Sequence, residues 1–412
     1  MPNAEFTSID LFAGCGGLSL GLHKAGWQGL FAIERDPMAF DTLKSNLVGR
    51  ETRYAAYKQW PEWVDEAPHN IDTFLEDEGN VENLRRLRGK VSMVAGGPPC
   101  QGFSVGGARN GEDERNHLVH RLLEVVEHVQ PKIALVENVE GITRAFRSRP
   151  REGAKASVAA EVVEAFAQLG YKATFGVANA SHFGVPQVRM RAIIIAVRGD
   201  LGIDPSDFFV HLENIRATHL REHELPLDRP VTAGEALRDL FNDEDFVPSP
   251  DTPKFSSSTY LEPVGPYATA LRRDTATGTV PDSHRYSNHG ERVLELYRTA
   301  HETQPKGRLS KAFLLSMGTK KDKKVLIDPD VPVSTITTHP DEFIHFGAPR
   351  NITVREMARL QSFPDDFHFK GRYTINGPRR KFDVARCSQV GNAVPPLFAE
   401  AIGRAVKALL GE

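Results

Sequence analysis

The feature that most limits what this chain can fold into is a regular alternation of short apolar runs and amphipathic ones over its first half. "SIDLF", "LFAIERD", "VSMVAGG" and "IALVENV" have the length and composition of buried strands, and "YKATFGVAN" with "RAIIIAVRG" reads as a pair of strands. Between them, "LSLGLHKAG", "PMAFDTLKSNLV", "HLVHRLLEVVEHV" and "SVAAEVVEAFAQLG" have helical spacing. The first is closed by a glycine, and the second opens on a proline suited to a first helical turn. Strand alternating with helix predicts an α/β fold, a mainly parallel sheet with helices on both faces. Such sheets bind ligands outside the carboxyl ends of their strands. The conspicuous motifs fall there: "FAGCGG", Glu34, "GGPPCQGFS" and "ENVEG" each follow a strand.

From about Leu201 this order breaks up. Prolines, aspartates and short apolar pieces run through "PSPDTPKFSSSTYLEPVGP", and a second domain of irregular strands and loops is expected from there to roughly Gly347. Helical order returns in "TVREMARLQSF", and the sequence ends in an amphipathic "PPLFAEAIGRAVKALL". At 412 residues and 40% hydrophobic content, the chain can build one large core and a smaller lobe. Three cysteines in this length argue against a disulfide framework and for a reducing compartment. "MPNAEFTSID" has no basic-then-apolar leader pattern, and the longest apolar runs, such as "AIIIAV", are too short to span a bilayer; a cytoplasmic protein is expected. A net charge of -3 exerts no global pull on nucleic acid, but "KGRLSK" with "TKKDKK", and "KGRYTINGPRRKFDVAR", are locally basic.

"DLFAGCGG" sets glycines at a strand-to-helix turn, where backbone can approach a ligand and helix N–H groups point outward; packing accounts equally well for glycines there. Glu34, at the tip of the next strand, stands where nucleotide-binding sheets accept two ribose hydroxyls, with a solvated carboxylate or a partner of Arg35 as the competing reading. Cys100 follows two prolines, which fix the backbone and lack N–H donors, at the ligand end of a strand. That is a poor place for packing and a good one for presenting a nucleophile. Cys15 and Cys387 read instead as small buried hydrophobes. Glu137 ends an apolar run, where partial burial disfavours the charged form and suits a carboxyl to act as an acid; a salt bridge to an arginine is the alternative. "QVRMR" puts Arg189 and Arg191 at alternate positions ahead of "AIIIAV", facing one side, although a solvated edge is the commoner fate of arginines.

These pieces fit one chemistry. A thiolate adds to carbon 6 of a pyrimidine, a protonated glutamate hydrogen-bonds ring nitrogen 3, and carbon 5 becomes an electron-rich enamine that attacks an electrophilic methyl. S-adenosylmethionine is the cofactor such a cleft would take, its adenosine held by the glycine loop and Glu34.

The ordered set "DLFAGCGG", "GGPPCQGFS", "ENVEG", "QVRMR", "TVREMARLQSFPDDF" and "QVGNAVPP" resembles the carbon-5 cytosine-specific DNA methyltransferases of bacterial restriction-modification systems and their orphan relatives. The resemblance implies a large, Rossmann-like, S-adenosylmethionine-dependent domain over 1–200 and a smaller irregular target-recognition domain over 201–347. A hinge and small-domain segment over 348–385 would follow, then a C-terminal segment, 386–412, returning to the catalytic domain. It also implies DNA held between the two domains.

By position, the resemblance makes Cys100 the nucleophile, Glu137 the acid at ring nitrogen 3 and Asn138 the brace of the proline-cysteine segment. Arg189 and Arg191 match the motif arginines, Arg191 being the one for the ring carbonyl. Phe12, Ala13, Gly14, Gly16, Leu18 and Glu34 match cofactor positions, as do Pro98 in the nucleophile loop and Asn392 with Ala393 near the end. "FSVGGARNGEDERN" corresponds to a loop that closes on DNA. No metal is expected. Two departures stand out: Arg35 occupies a place where relatives carry an aromatic that stacks on adenine, and the acceptor for the adenine amino group falls among Asn70, Asp72 and Asp77.

The implied partner is double-stranded DNA, with a cognate restriction endonuclease as a further candidate and no membrane. The target cytosine has to leave the duplex stack, and "TKKDKK" and "GPRRK" are candidates for phosphate contacts. Two other readings remain: a transfer RNA cytosine-5 methyltransferase of the same family, and a catalytically silent DNA-binding relative. The second ought to have lost Cys100 or Glu137.

Overall fold

Strand β1 (Thr7–Leu11) has β2 (Gln28–Ile33) on one side and β3 (Met93–Gly96) on the other, both parallel to it, and β4 (Ile133–Val139) continues the parallel order beside β3. This is a computed structural model, and it describes residues 6–99, 117–144, 156–273, 275–319, 321, 323–374 and 383–411. Strand β5 (Tyr171–Asn179), a two-residue β6 (Gln187–Val188) and β7 (Met190–Arg198) follow. β7 inserts between β4 and β5, antiparallel to both, so the sheet order is β2-β1-β3-β4-β7-β5. The strand pair expected in "YKATFGVAN" and "RAIIIAVRG" is therefore an antiparallel ladder on a parallel sheet. Because Gly96 pairs with Val136, the described start of "GGPPCQGFS", residues 96–99, begins beside the end of β4 that carries Glu137, Asn138 and Val139.

The strands are buried on both faces. Ile9, Leu11, Phe31, Ile33, Val94, Val136 and Ile194 belong to one cluster, with residues of α3 (Ile71–Glu76), α5 (His117–Val129) and α6 (Val158–Gln168). The alternate residues Ala95, Leu135, Ile193 and Ile195 point the other way and are equally buried, as continuous apolar strands require. The preceding helices, α1 (Gly17–Lys24) and α2 (Pro37–Leu47), start differently. Asp36 caps α2 by accepting Ala39 N at 2.9 Å, with Pro37 in the first turn, whereas α1 starts from the left-handed Gly16 with no side-chain cap. Helix α4 (Glu78–Arg86) packs on α5.

The chain divides into two compact units. The first contains 1–180, 190–216 and 398–412, and the second 181–189 and 217–397. Beyond the sheet come α7 (Asp207–Glu222), α8 (Ala233–Leu237), β8 (Phe246–Ser249), β9 (Thr252–Ser258), α9 (Gly265–Arg272) and α10 (Glu291–Thr303). Then follow β10 (Gly307–Arg308), α11 (Lys311–Ser316), β11 (Val325–Leu326), β12 (Val333–Ser334), β13 (Phe343–Ile344), α12 (Val354–Leu360), α13 (Arg386–Asn392) and α14 (Pro396–Leu409). The short strands fit the expected irregular region. The 16-residue α7 and 13-residue α10 do not, for that stretch was expected to hold strands and loops. In α7 the apolar residues Phe208, Phe209, Val210, Leu212 and Ile215 are not confined to one stripe, which hides its helical period.

The second unit is held by buried charge as well as by apolar packing. Arg359 bonds Asp239 at 2.9 and 3.0 Å and Asp365 at 2.6 Å, all three side chains being fully buried. Helix α12 opens with a capping box, Thr353 with Glu356, whose carboxylate also takes a bidentate contact from Arg350 at 2.7 and 2.8 Å. Among the described residues no helix is long and apolar enough to cross a membrane.

Candidate active site

The turn between β1 and α1 is built around a carboxylate. Glu34, at the end of β2, accepts Gly14 N on one oxygen at 2.9 Å and Asp36 N on the other at 2.8 Å. Burial pushes its carboxyl above the ordinary value, and the two N–H donors oppose that shift. Neither competing reading of Glu34 describes it: the carboxylate is largely enclosed, and backbone amides rather than Arg35 satisfy it. Phe12 has a positive φ of 58° despite its side chain, and Ala13 N reaches back to Ile33 O at 3.1 Å. The two glycines differ. A Cβ on Gly14 would meet nothing within 4 Å, so that position faces open space, whereas one on Gly16 would lie 2.5 Å from Leu47 Cδ1. Gly14 thus leaves space open beside the turn, and Gly16 is required for packing α1 on α2. Leu18 is buried in α1.

At the other end of the strand row, Arg191 faces Val139 across the antiparallel β4–β7 ladder. Glu137, two residues back from Val139, is its diagonal neighbour on the same face. Arg191 Nε lies 2.8 Å from Glu137 Oε1, with each side chain 9% exposed. Burial pulls the guanidinium below its ordinary value and Glu137 opposes this, leaving an ion pair in a nearly dry setting. Gly97 packs on the same carboxylate: a Cβ there would come within 3.3 Å of Glu137 Oε2. The next residue, Asn138, donates its side-chain amide to Pro98 O at 3.0 Å, while its own oxygen accepts Val139 N at 2.7 Å. Consecutive residues of one strand end thus hold a carboxylate and the chain just ahead of Cys100, which itself lies outside the described residues, as does "FSVGGARNGEDERN".

The two arginines of "QVRMR" part company. Arg189 lies between β6 and β7 and belongs to the second unit, Arg191 to the first. Arg189 donates to Ile336 O at 3.1 Å, Gly391 O at 3.0 Å, Ala393 O at 3.1 Å and Gln187 Oε1 at 3.3 Å. Gln187, which sequence reasoning passed over, also accepts Ile336 N and donates to Leu360 O and Gln361 Oε1. Period-two alternation fails at Arg189 because the strand is interrupted there. Asn392 closes α13, with Ala393 as its C-cap, so Arg189 fixes the backbone of that late motif.

None of the three candidates for the adenine amino group is idle. Asn70 caps α3, Asp77 caps α4, and Asp72 is claimed by Arg121 at 2.8 Å and His117 at 2.5 Å. Lys324, the last residue of "TKKDKK", is buried, donates to Asp341 O at 2.7 Å and is pulled down to about 8 by burial, so it is no surface phosphate contact. Cys15 is buried and its thiol is pushed up to about 12, consistent with an inert packing role. The motif "DLFAGCGG" also carries a buried polar group whose partners lie outside it. Asp10 lies buried beneath the glycine turn, accepts Ser19 Oγ, which in turn accepts Tyr57 Oη at 2.8 Å, and is pushed up to about 7 by burial.

A family model for the C-5 cytosine-specific DNA methylases matches residues 6–408. The chain belongs to that family. This cytosine-5 methylase is similar to the Type II methyltransferase M1.HphI of Haemophilus parahaemolyticus, 29% identical over 405 residues that cover 98% of this chain and 87% of that one. It is 31% identical over 420 residues to the Type II methyltransferase M.XorII of Xanthomonas oryzae pv. oryzae, covering 96% and 83%. Among solved structures, a prophage-encoded E. coli protein assigned as a DNA modification methyltransferase superposes with a TM-score of 0.66 at 25% identity, covering 99% of this chain and all of that one. The S. pombe Dnmt2 methyltransferase shares the fold, with a TM-score of 0.51 at 16% identity and 98% coverage of each. The methylase is thus a DNA (cytosine-5-)-methyltransferase with the α/β fold of S-adenosylmethionine-dependent enzymes.

Proposed function

We infer that this DNA methyltransferase works through Cys100 and the Glu137–Arg191 pair, with the Gly14–Glu34 turn as the seat of its cofactor. The observation that carries the reading is the paired strand end: a buried Glu137 held at 2.8 Å by Arg191, beside an Asn138 amide bonded to Pro98 O, two residues before Cys100. Cys100 forms a bond from sulfur to carbon 6 of an extruded cytosine. Glu137 acts in its protonated form: it donates its O–H to ring nitrogen 3 and passes that proton to the nitrogen as the thiolate adds, neutralising the charge that moves onto the ring. Arg191 aims that carboxyl and offers its remaining N–H donors to the ring carbonyl. After methylation at carbon 5, water takes the carbon-5 proton, and the electron pair left behind expels the Cys100 thiolate and restores the aromatic ring.

The first unit fits S-adenosylmethionine on its own geometry. Gly14 leaves open space where any side chain would intrude, and each Glu34 oxygen, already oriented by one backbone N–H, keeps a lone pair for a ribose hydroxyl. Phe12, Ala13 and Leu18 would complete that seat, with Pro98 at its rim. The bound cofactor supplies the electrophilic methyl. The second unit, 181–189 with 217–397, would read the DNA sequence. Relatives named as Type II methyltransferases support a restriction-modification setting inside the cell, with a cognate endonuclease as partner.

The test is transfer of labelled methyl from S-adenosylmethionine to genomic DNA from several sources, with transfer RNA alongside and Cys100→Ser as control. Label recovered as 5-methylcytosine in DNA, and lost in the variant, is expected. Label in the Cys100→Ser product would overturn the nucleophile, and label in transfer RNA alone would overturn the substrate.

A further inference from the structure

Several arginines of the second unit lie over aromatic rings, and all but one have their N–H donors taken. Arg272, over Tyr260, donates to Leu261 O, Thr275 O and Thr277 Oγ1. Arg350, over Tyr286, is bidentate to Glu356. Arg355, over Phe369, bonds Asp282, Pro364 O and Phe367 O. Arg386, over Tyr373 at 4.3 Å, donates to Gly371 O at 2.9 Å and pairs with Asp251 at 2.8 Å.

Arg285 is the exception. Its guanidinium carbon lies 3.8 Å from the centre of the Tyr373 ring and 4.1 Å from that of Phe255, the closest of these stacks. Among the described residues it has neither a carboxylate partner nor a hydrogen-bond acceptor. Asp251, the acid whose charge acts on it, is engaged by Arg386 and by Tyr373 Oη at 2.8 Å, which also fixes the ring against which Arg285 lies. Stacking holds a guanidinium by its faces and leaves its fork of N–H donors directed outward in its own plane. The residue is half-buried, and burial pulls its guanidinium below the ordinary value. A partly desolvated cation with oriented, unused donors is a receptor for an anion with two oxygens at the spacing of the fork. Next in sequence to its ring partners Phe255 and Tyr373 are the exposed, positively charged Lys254 and Arg372.

We propose that Arg285, set by Phe255 and Tyr373, clamps one phosphodiester of the substrate DNA. A phosphodiester presents two non-bridging oxygens to the unused fork and a full negative charge to the partly desolvated cation. A guanine edge offers two acceptors but no charge, so it compensates the fork and not the desolvation. The contact is a backbone one and positions the duplex without reading its sequence.

The proposal rests on DNA being the substrate, and wild-type methylation of genomic DNA, measured in parallel, checks that separately. The probe is a mixed-sequence duplex of fixed length, bound by the full chain with S-adenosylhomocysteine at a series of salt concentrations. Arg285→Ala is expected to weaken binding roughly tenfold and to lower the slope of log Kd against log salt by about one, with unchanged affinity for S-adenosylhomocysteine. Arg285→Lys keeps the charge and loses the fork; it should retain the wild-type slope with intermediate affinity, and it decides the matter if the alanine variant fails to fold. An unchanged slope in Arg285→Ala, or a lysine variant that loses slope like alanine, overturns the proposal. So does an unchanged slope with methylation spread to new sequences, which would make Arg285 a base reader.

Discussion

Arg191 and Glu137 meet because residue 191 is paired with Val139 across the β4–β7 ladder and Glu137 is two residues along on the same face, which brings Nε within 2.8 Å of Oε1. Removing either partner tests a different property. Glu137→Gln keeps the shape and a hydrogen-bonding group but leaves the buried Arg191 charge uncompensated, so single-turnover methylation should fall by roughly a hundredfold or more with a smaller loss of stability. Arg191→Met strands a buried carboxylate and should cost about 3 kcal/mol of stability in addition to activity. Thermal midpoints beside single-turnover rates separate the two, and a Glu137→Gln enzyme with the wild-type rate would remove the acid from the mechanism.

Cys100→Ser replaces a soft sulfur by an oxygen that is a poor nucleophile toward a conjugated ring carbon. Turnover should vanish with cofactor affinity kept, as read by calorimetric titration of S-adenosylmethionine. Cofactor affinity lost together with turnover would mean that the segment shapes the seat rather than the reaction.

The glycine turn predicts a split between neighbours. Gly14→Ala meets no atom but holds alanine at a φ of +57°, so about 1 kcal/mol of strain is expected, with weaker S-adenosylmethionine binding. Gly16→Ala adds a 2.5 Å approach to Leu47 Cδ1 at a φ of +91°, and its larger effect should fall on the thermal midpoint. Equal loss of cofactor affinity in both, at equal stability, would contradict the division of labour.

Acid should loosen the second unit. His284 is buried against Thr353 Oγ1 at 2.9 Å and Ser258 Oγ at 3.3 Å, and burial lowers its pKa from 6.5 to about 4. The folded state resists a proton that the unfolded chain accepts, so this contribution is fully present above pH 6.5 and is lost as pH falls toward 4. Its size is about 3 kcal/mol. The thermal midpoint of wild type should drop over that window, and His284→Gln, though less stable at neutral pH, should drop less. Parallel curves for the two proteins would clear His284 of any part in acid sensitivity.

The sheet, its helices and the residues at its carboxyl edge could be read from sequence because each rests on a local rule. Apolar runs alternate with helical spacing, Pro37 opens a helix, and Glu34 stands at a strand tip. What could not be read depends on partners far along the chain. Nothing near Arg189 announces that its donors go to residues 336, 391 and 393. Asp10 opens "DLFAGCGG", yet its link to Tyr57 through Ser19 exists only once β1, α1 and residue 57 are packed. Helix α10 was within reach, since Leu296, Tyr297 and Ala300 make a buried stripe, but the surrounding prolines and short apolar pieces drew attention to loops.

The nine residues 181–189 belong with 217–397 although the whole of 190–216 separates them. Strand β6 pairs with β12, and Gln187 and Arg189 bind the backbone at Ile336, Leu360 and Gly391. A chimera made by exchanging only 217–397 with a relative would discard one half of that pairing and leave foreign carbonyls opposite native side chains. The transplantable module is discontinuous, two pieces of chain that must travel together, and its short piece lies immediately before the strand that carries Arg191.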